Sequence, residues 1–212
     1  MGRDVIIECI ETGPLSVNTY VVYVRGGDSC IVIDPADPEA VGGYVKSRGM
    51  GIAAVFLTHC HFDHILGVPQ LQQQGARLYI GEKDAPGLND RSINLTFMPL
   101  AGMKPDVLLK DGDRVEEAGL CFEVLFTPGH TAGGVCYLLK ESGAIFAGDT
   151  IFRFSIGRTD LPGGDYSRLI SSIKNKLFAL EGNYTVLPGH GEATDLDEER
   201  QGNPYAGRGA GW

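Results

Sequence analysis

Thr58-His59-Cys60-His61-Phe62-Asp63-His64 places three imidazoles and a carboxylate within seven residues. The motif follows the apolar run Ile52 to Leu57, which reads as a buried strand. It leads into a helical pattern from His64 to about Gln74, with Ile65, Val68 and Leu71 on one face. In an extended segment His59 and His61, two residues apart, point to the same side. Asp63 and His64 fall where the chain turns into the helix and face a second point. Four groups so arranged cannot wrap a single ion, but they can give two ligands to each of two ions. The other two histidines lie in similar settings, His130 in Thr127-Pro128-Gly129-His130-Thr131 and His190 in Leu187-Pro188-Gly189-His190-Gly191. Each can complete one set. Asp149, in Ala147-Gly148-Asp149-Thr150, can place one carboxylate oxygen on each ion. All five histidines are thereby used, and seven ligand groups exceed what one four-coordinate ion takes up.

Imidazole and carboxylate suit zinc, iron and manganese alike, with zinc the first expectation. Two divalent ions hold a bridging water as hydroxide near neutral pH, because coordination lowers its pKa to roughly 7. One ion polarises a carbonyl or phosphoryl oxygen while the hydroxide attacks. The constellation therefore points to hydrolysis without a protein nucleophile. There is no G-x-S-x-G, and no histidine is spare for a triad.

The rest of the chain alternates strands and helices. Val5 to Ile10, Thr19 to Val24 and Cys30 to Ile33 read as strands. Asp37 is a good helix N-cap, Pro38 suits the first helical position, and Gly49 ends the helix near Arg48. Residues 81–105 are irregular, readable as a mobile flap or as a surface loop with a short helix at Lys83 to Leu88. Strand signals return at Cys121 to Phe126, Val135 to Leu139 and Ala144 to Ala147. A helix around Ser167 to Leu180 and a last strand, Tyr184 to Leu187, precede His190. Both halves place histidines just after strands, where ligand sites in α/β sheets collect. No linker is visible, so residues 1–212 read as one domain, with a Gly-rich tail from about 202 expected to fray.

A chain of 212 residues can bury about 70% of its unfolded surface. The net charge of −9 argues against a nucleic-acid partner, which needs clustered Lys and Arg. Five cysteines, an odd number with no C-x-x-C, read as free thiols in a reducing compartment. With no signal-peptide pattern and no apolar run near the ~20 residues of a membrane span, a cytoplasmic location without membrane attachment is expected.

Taken together, T-H-x-H-x-D-H, P-G-H-T, G-D-T and P-G-H-G resemble the metallo-β-lactamase superfamily over nearly the whole chain. The resemblance implies a four-layer αββα sandwich with a dimetal site at one edge of its sheets. It implies that His59, His61 and His130 bind one metal, that Asp63, His64 and His190 bind the other, and that Asp149 bridges, with Asp63 and Asp149 the catalytic carboxylates. Gly148-Asp149-Thr150-Ile151-Phe152 with Ile156-Gly157-Arg158-Thr159-Asp160-Leu161-Pro162-Gly163-Gly164-Asp165, and the Glu198-Glu199-Arg200…Asn203-Pro204 tail, look like the short, single-domain glyoxalase II-like hydrolases. These are expected to cleave small thioesters. True glyoxalase II (hydroxyacylglutathione hydrolase) adds a C-terminal helical domain that supplies basic groups for glutathione, and this chain is expected to lack it. It also has Gly191-Glu192-Ala193-Thr194 where glyoxalase II has a Glu and a Tyr after the histidine. The alternative of the same fold is a persulfide dioxygenase with one iron, needing only His59, His130 and Asp149.

Other residues carry narrower expectations. Asp34, after Ile31-Val32-Ile33, reads as a carboxylate orienting a ligand histidine from behind or as a strand-end turn residue, and the resemblance favours the first. Cys60 points away from its ligand neighbours and reads as packing. Asn18-Thr19-Tyr20 reads as structural. Arg158 stands where glyoxalase II has a substrate-contacting lysine, and is expected to bind an anionic substrate group, unless Asp160 or Asp165 takes it as a salt-bridge partner.

Overall fold

Apolar alternation decides the layering. Successive residues of a strand face opposite sides, and here both sides are apolar. In Val17–Val24, Tyr20 and Val22 face one way and Val21 the other; in Ser29–Ile33, Ile31 and Ile33 oppose Val32; in Gly51–Phe56, Ala54 and Phe56 oppose Val55. Such sheets must be covered on both faces. The computed structural model, which describes residues 4–97 and 102–210, shows the cover.

One six-stranded sheet has the order β1 (Val5–Thr12), β2 (Val17–Val24), β3 (Ser29–Ile33), β4 (Gly51–Phe56), β5 (Arg77–Gly81), β6 (Val107–Leu109). The second contains β7 (Arg114–Glu117), β8 (Leu120–Phe126), β9 (Val135–Leu139), β10 (Ala144–Gly148), β13 (Thr185–Pro188) and β14 (Thr194–Asp195), in the order β14-β13-β10-β9-β8-β7. β11 (Ile151–Phe152) and β12 (Ser155–Ile156) form a small hairpin. The helices are α1 (Pro38–Ser47), α2 (Phe62–Ile65), α3 (Val68–Gln73), α4 (Arg91–Asn94), α5 (Tyr166–Ser172) and α6 (Leu196–Gly202).

Between the sheets lies an aromatic-rich core of Tyr20, Phe56, Tyr79, Phe122, Tyr137 and Phe146. Phe56 sits at its centre, with ring centroids 4.8 Å from Tyr79, 5.1 Å from Tyr137 and 5.2 Å from Phe122. On the outer face of the first sheet, Val41 and Val45 of α1 and Val68 and Leu71 of α3 pack on Val21, Val32 and Val55. On the outer face of the second, Leu169 of α5 and Leu196 of α6 pack on Cys136, Leu138, Ile145 and Val186. The result is the four-layer αββα sandwich. Among the described residues no helix is long and apolar enough to cross a membrane.

Three expectations change. The helix read from His64 to Gln74 is two helices, α2 and α3, broken at Leu66-Gly67. Gly67 donates its N–H to Pro35 O at 2.8 Å, and a Cβ there would lie 2.8 Å from that oxygen, so the chain is pinned against Pro35. Pro69 then opens α3. The helix around 167–180 is α5 followed by a π-helical turn, Ile173–Leu177, which keeps Leu169, Ile173 and Leu177 buried. The Gly-rich end does not fray from 202. Asn203 and Ala206 are only 1% and 3% exposed, the Asn203 side chain accepts from the Tyr205 and Ala206 amides, and Arg208 N–H donates to Arg200 O. Residues 211–212 lie outside the described part. Residues 81–105 form a 3₁₀ turn, Ala85–Asn89, and α4, with 98–101 outside the described part. The cysteines are all free: Cys30, Cys60 and Cys136 are buried, while Cys9 is exposed on β1.

Phe56→Ala should destabilise the protein by about 3–5 kcal/mol in urea unfolding, as large aromatic truncations in close-packed cores do. A loss below about 1 kcal/mol would show that the inter-sheet layer repacks freely.

Candidate metal centre

Five strand ends build the site. β3 ends in Asp34, β4 in the Thr58–His64 loop, β8 in the His130 loop, β10 in Asp149 and β13 in His190. β3 runs parallel to β4, and β10 parallel to β13. β8 and β10 both pair antiparallel with β9, so β8, β10 and β13 share one direction. The carboxyl ends of both sheets therefore meet at one edge. Asn18 closes that edge: its N–H donates to Gly189 O at 2.8 Å, and its side-chain amide donates to Pro188 O at 3.1 Å and Gly191 O at 2.8 Å. Tyr20 O–H also donates to Pro188 O, at 2.7 Å.

All seven sequence-derived ligand residues come together. His59, His61 and His130 form one group with ligand atoms within 4.8 Å of one another, and Asp63, His64 and His190 form another. His61 Nδ1 lies 2.9 Å from His130 Nε2. His190 Nε2 lies 3.4 Å from Asp63 Oδ2, and His64 Nε2 3.6 Å from the same oxygen. Asp149 lies between the groups, with Oδ2 3.5 Å from His130 Nε2 and 3.7 Å from His190 Nε2, and Oδ1 3.5 Å from His64 Nε2.

The back of the histidines is anchored. His130 Nδ1 donates to Arg158 O at 2.8 Å and His190 Nδ1 to Leu15 O at 3.1 Å. His64 Nδ1 donates to Asp34 Oδ2 at 3.0 Å. Thr58 Oγ1 gives its proton to Asp34 Oδ2 at 2.6 Å, so at 3.1 Å it accepts from His59 Nδ1. In these four rings Nδ1 donates outward, which leaves Nε2 as the nitrogen turned to the site. Asp34 Oδ1 accepts from Thr58 N–H at 2.8 Å, so Asp34 serves the ligands from behind. Its φ of +51° is a strained conformation that Asp tolerates better than most residues.

Do these residues fit metal ions? His59, His61 and His64 Nε2 and Asp149 Oδ1 are buried with no hydrogen-bond partner. Buried polar atoms of that kind are costly, and their gathering among residues that could hold metal ions is an arrangement that cations satisfy. Charge on the protein alone is frustrated. Burial lowers His64, but the Asp149, Asp34 and Asp63 carboxylates outweigh it and push the ring up to about 9. Burial and the neighbouring His130 and His64 rings drive His61 down to about 3. Burial also holds His59 well below the ordinary imidazole range. Burial raises Asp63, but its hydrogen bond from His190 and the charge of His64 outweigh it, so it stays ionised.

Arg158 is placed differently from expectation. Its guanidinium makes two 2.8 Å hydrogen bonds to Asp160, with the two side chains 62% and 68% exposed. Its contact with the site is the backbone carbonyl under His130. Cys60 is buried and turned to Gly87, where a Cβ would strike its sulfur. One carboxylate, Asp84, escaped the sequence reading, and Glu199 entered it only as part of the family-like tail. Asp84, after β5, accepts from Cys60 N–H, Thr131 O–H and Gly133 N–H. Buried Glu199 accepts from Phe154 N–H, Thr194 O–H and the Asn203 amide, fixing the β11–β12 turn. Asp84 stands after β5 much as Asp34 stands after β3, and that position was the available signal.

A family model described as the metallo-beta-lactamase superfamily matches residues 12–190. The probable metallo-hydrolase YqgX of Bacillus subtilis is 36% identical over 203 residues, 92% of this chain and 95% of the relative. The hydroxyacylglutathione hydrolase GloC of Haemophilus influenzae is 30% identical over 205 residues, 94% of this chain and 97% of the relative. Among solved structures, the BLEG-1 B3 metallo-beta-lactamase superposes with a TM-score of 0.88 at 35% identity, covering 95% of this chain and 99% of that one. TTHA1623 in a di-iron-bound form gives 0.79 at 34% identity, covering 93% and 99%. The matched residues include every strand end that contributes one of the seven gathered residues, and the chain belongs to the metallo-β-lactamase superfamily.

Proposed function

We propose that the protein is a dinuclear metal-dependent hydrolase of small thioesters. The observation that carries this reading is the pair of ligand groups facing each other across Asp149. Likeness to the hydroxyacylglutathione hydrolase GloC and the Ile156–Asp165 run support the thioester as substrate class. His59, His61 and His130 would hold one divalent ion and Asp63, His64 and His190 the other, with Asp149 between them. Zinc is the first choice, and the ligand set suits iron or manganese equally. The ions would supply a lowered water pKa and polarisation of the scissile carbonyl.

The chain supplies the rest. Cys60, beside two ligands, is no nucleophile: burial, reinforced by Asp84, pushes its thiol up and keeps it protonated. Water is therefore the attacking group. Asp63, beside His190 and His64, would accept a proton from it as the bond to the acyl carbon forms. The departing group is a thiolate, and with a thiol pKa near ~8.5 it leaves without a general acid. Arg158 meets an anionic part of the substrate by exchanging Asp160 for it, an inexpensive exchange because exposed ion pairs contribute only about 0–1 kcal/mol.

Metal-free protein titrated with zinc at pH 7.5 should take up about two ions per chain. It should release at least one proton from His64, since a ligand imidazole binds neutral. Calorimetry in two buffers of different ionisation enthalpy reads that proton together with any lost by metal-bound water, and the total should fall by about one as the pH rises from 7.5 to 10. Uptake of no more than one ion, with zinc, iron or manganese in excess, would count against the dinuclear reading.

Thioester hydrolysis should disappear in Asp149→Ala and His64→Ala while circular dichroism stays native. Oxygen uptake with glutathione persulfide, without thioesterase activity, would establish the mononuclear iron dioxygenase instead. On anionic thioesters Arg158→Ala should raise KM about 5- to 30-fold, a charge-assisted contact less the lost Asp160 pair. Asp160→Ala, by freeing the guanidinium, should lower KM. Equal effects of Arg158→Ala on neutral and anionic thioesters would remove Arg158 from substrate binding.

A further inference from the structure

Asp84 sits outside both ligand groups, yet it is 2% exposed and touches both loops that build the first one. Its Oδ2 accepts from Cys60 N–H at 3.2 Å, the amide between His59 and His61. The same oxygen accepts from Thr131 O–H at 2.7 Å, next to His130. Its Oδ1 accepts from Gly133 N–H at 2.5 Å, farther along the His130 loop. The carboxylate is itself fixed, since Asp84 N–H donates to Gly81 O at 3.0 Å and Asp84 O accepts from Gly87 N–H at 2.9 Å. The fit is close enough to demand glycine. A Cβ on Gly133 would collide with the Asp84 backbone nitrogen, and one on Gly81 with Gly133 O.

We propose that Asp84 is the positioning residue of the first metal site: its carboxylate ties the His59–His61 loop to the His130 loop and sets the spacing of those three ligands. This rests on reading the ligand groups as metal sites. The second group has other supports. His64 is held by Asp34, and His190 by Leu15 O and the Asn18-braced turn. Loss of the Asp84 carboxylate therefore loosens one site and spares the other. The fold has separate ties across the same gap, because Val135 N–H donates to Thr58 O at 2.9 Å and Tyr137 O–H to Leu57 O at 2.7 Å.

The test is a chelator-competed titration of the metal-free protein with cobalt(II), followed by absorption. His130→Ala and His190→Ala identify which binding step belongs to which group. Asp84→Asn keeps the size but turns an N–H₂ toward donors it cannot pair with. It should weaken the step that His130→Ala abolishes by about 10- to 100-fold, the usual loss when a group behind a ligand is removed, and leave the other step within about threefold. Thr131→Val, which deletes one of the three donors, should weaken the same step less. Asp84→Asn with a lower Tm but an unchanged ratio of the two affinities, or with both steps weakened equally, would overturn the proposal. If the wild type binds one ion only, the dinuclear reading fails separately, and the proposal is then decided by whether Asp84→Asn weakens the His130-dependent step.

Discussion

One buried carboxylate holds the two ligand groups in a common frame. Asp34 takes the Thr58 amide on one oxygen and shares the other between Thr58 O–H and His64 Nδ1. Through Thr58 it also fixes His59 Nδ1. His59 belongs to the first group and His64 to the second, so a single side chain orients a ligand in each. That duty explains its strained backbone. Asp34 closes β3 at φ +51°, its N–H donates to Phe56 O, and its carbonyl accepts from Thr19 O–H. The sheet fixes the carboxylate, and the carboxylate fixes the rings. Strain of about 1–3 kcal/mol at such a residue persists only where the surroundings over-determine it, as they do here.

The sandwich is the structure that brings these rings together. The ligands come from strands that are far apart in sequence and lie in two different sheets. The aromatic layer between the sheets, with Phe56 and Tyr137 as its central pair, holds together the two sheets that carry His59 and His130. Burial then makes the site electrostatically unsettled. His61 is pushed down and His64 up, both from nearly the same starting point, although both are enclosed. The difference lies in neighbours: His61 faces another imidazole at 2.9 Å, and His64 faces carboxylates on both sides. Divalent ions would resolve both conflicts at once, favouring neutral rings and ionised carboxylates together.

The seven residues that come together were legible in the sequence because metal chemistry restricts residue type and spacing together. His59 and His61 on one side of an extended segment, with Asp63 and His64 past the turn, is a geometric statement that needs no tertiary information. The four-layer arrangement was legible through the family resemblance, the residue pattern itself giving only the order of strands and helices. Other features depended on contacts that sequence does not display. Gly67 breaks the helix only because Pro35 O lies against it. The stretch after 202 is held in part because Glu199 and Asn203 meet the β11–β12 turn. Asp84 lies in a loop that reads as irregular, and nothing local says that its oxygens point between two histidine loops. Arg158 shows the converse. Its side chain attracted attention through its charge, whereas its backbone carbonyl makes the contact with a ligand.

That last point is general to the rim of the site. His130 and His190 are both anchored by main-chain carbonyls, those of Arg158 and Leu15. The side chains of these two residues stay out in solvent, 62% and 52% exposed. A carbonyl is the one group that substitution does not change, so the rim can alter its charge and shape while the imidazoles keep their tautomer and direction. Asp34 and Asp84 follow the opposite rule: their side chains make the contacts, they are buried, and neither has a substitute of the same size with two acceptor oxygens. The centre is thus divided between an interior in which side-chain identity is fixed by hydrogen bonding and a rim in which only the backbone path is fixed. Loops on a rigid scaffold are where recognition varies. Here the rim can vary without cost to the ligands, because its hold on the histidines runs entirely through the main chain.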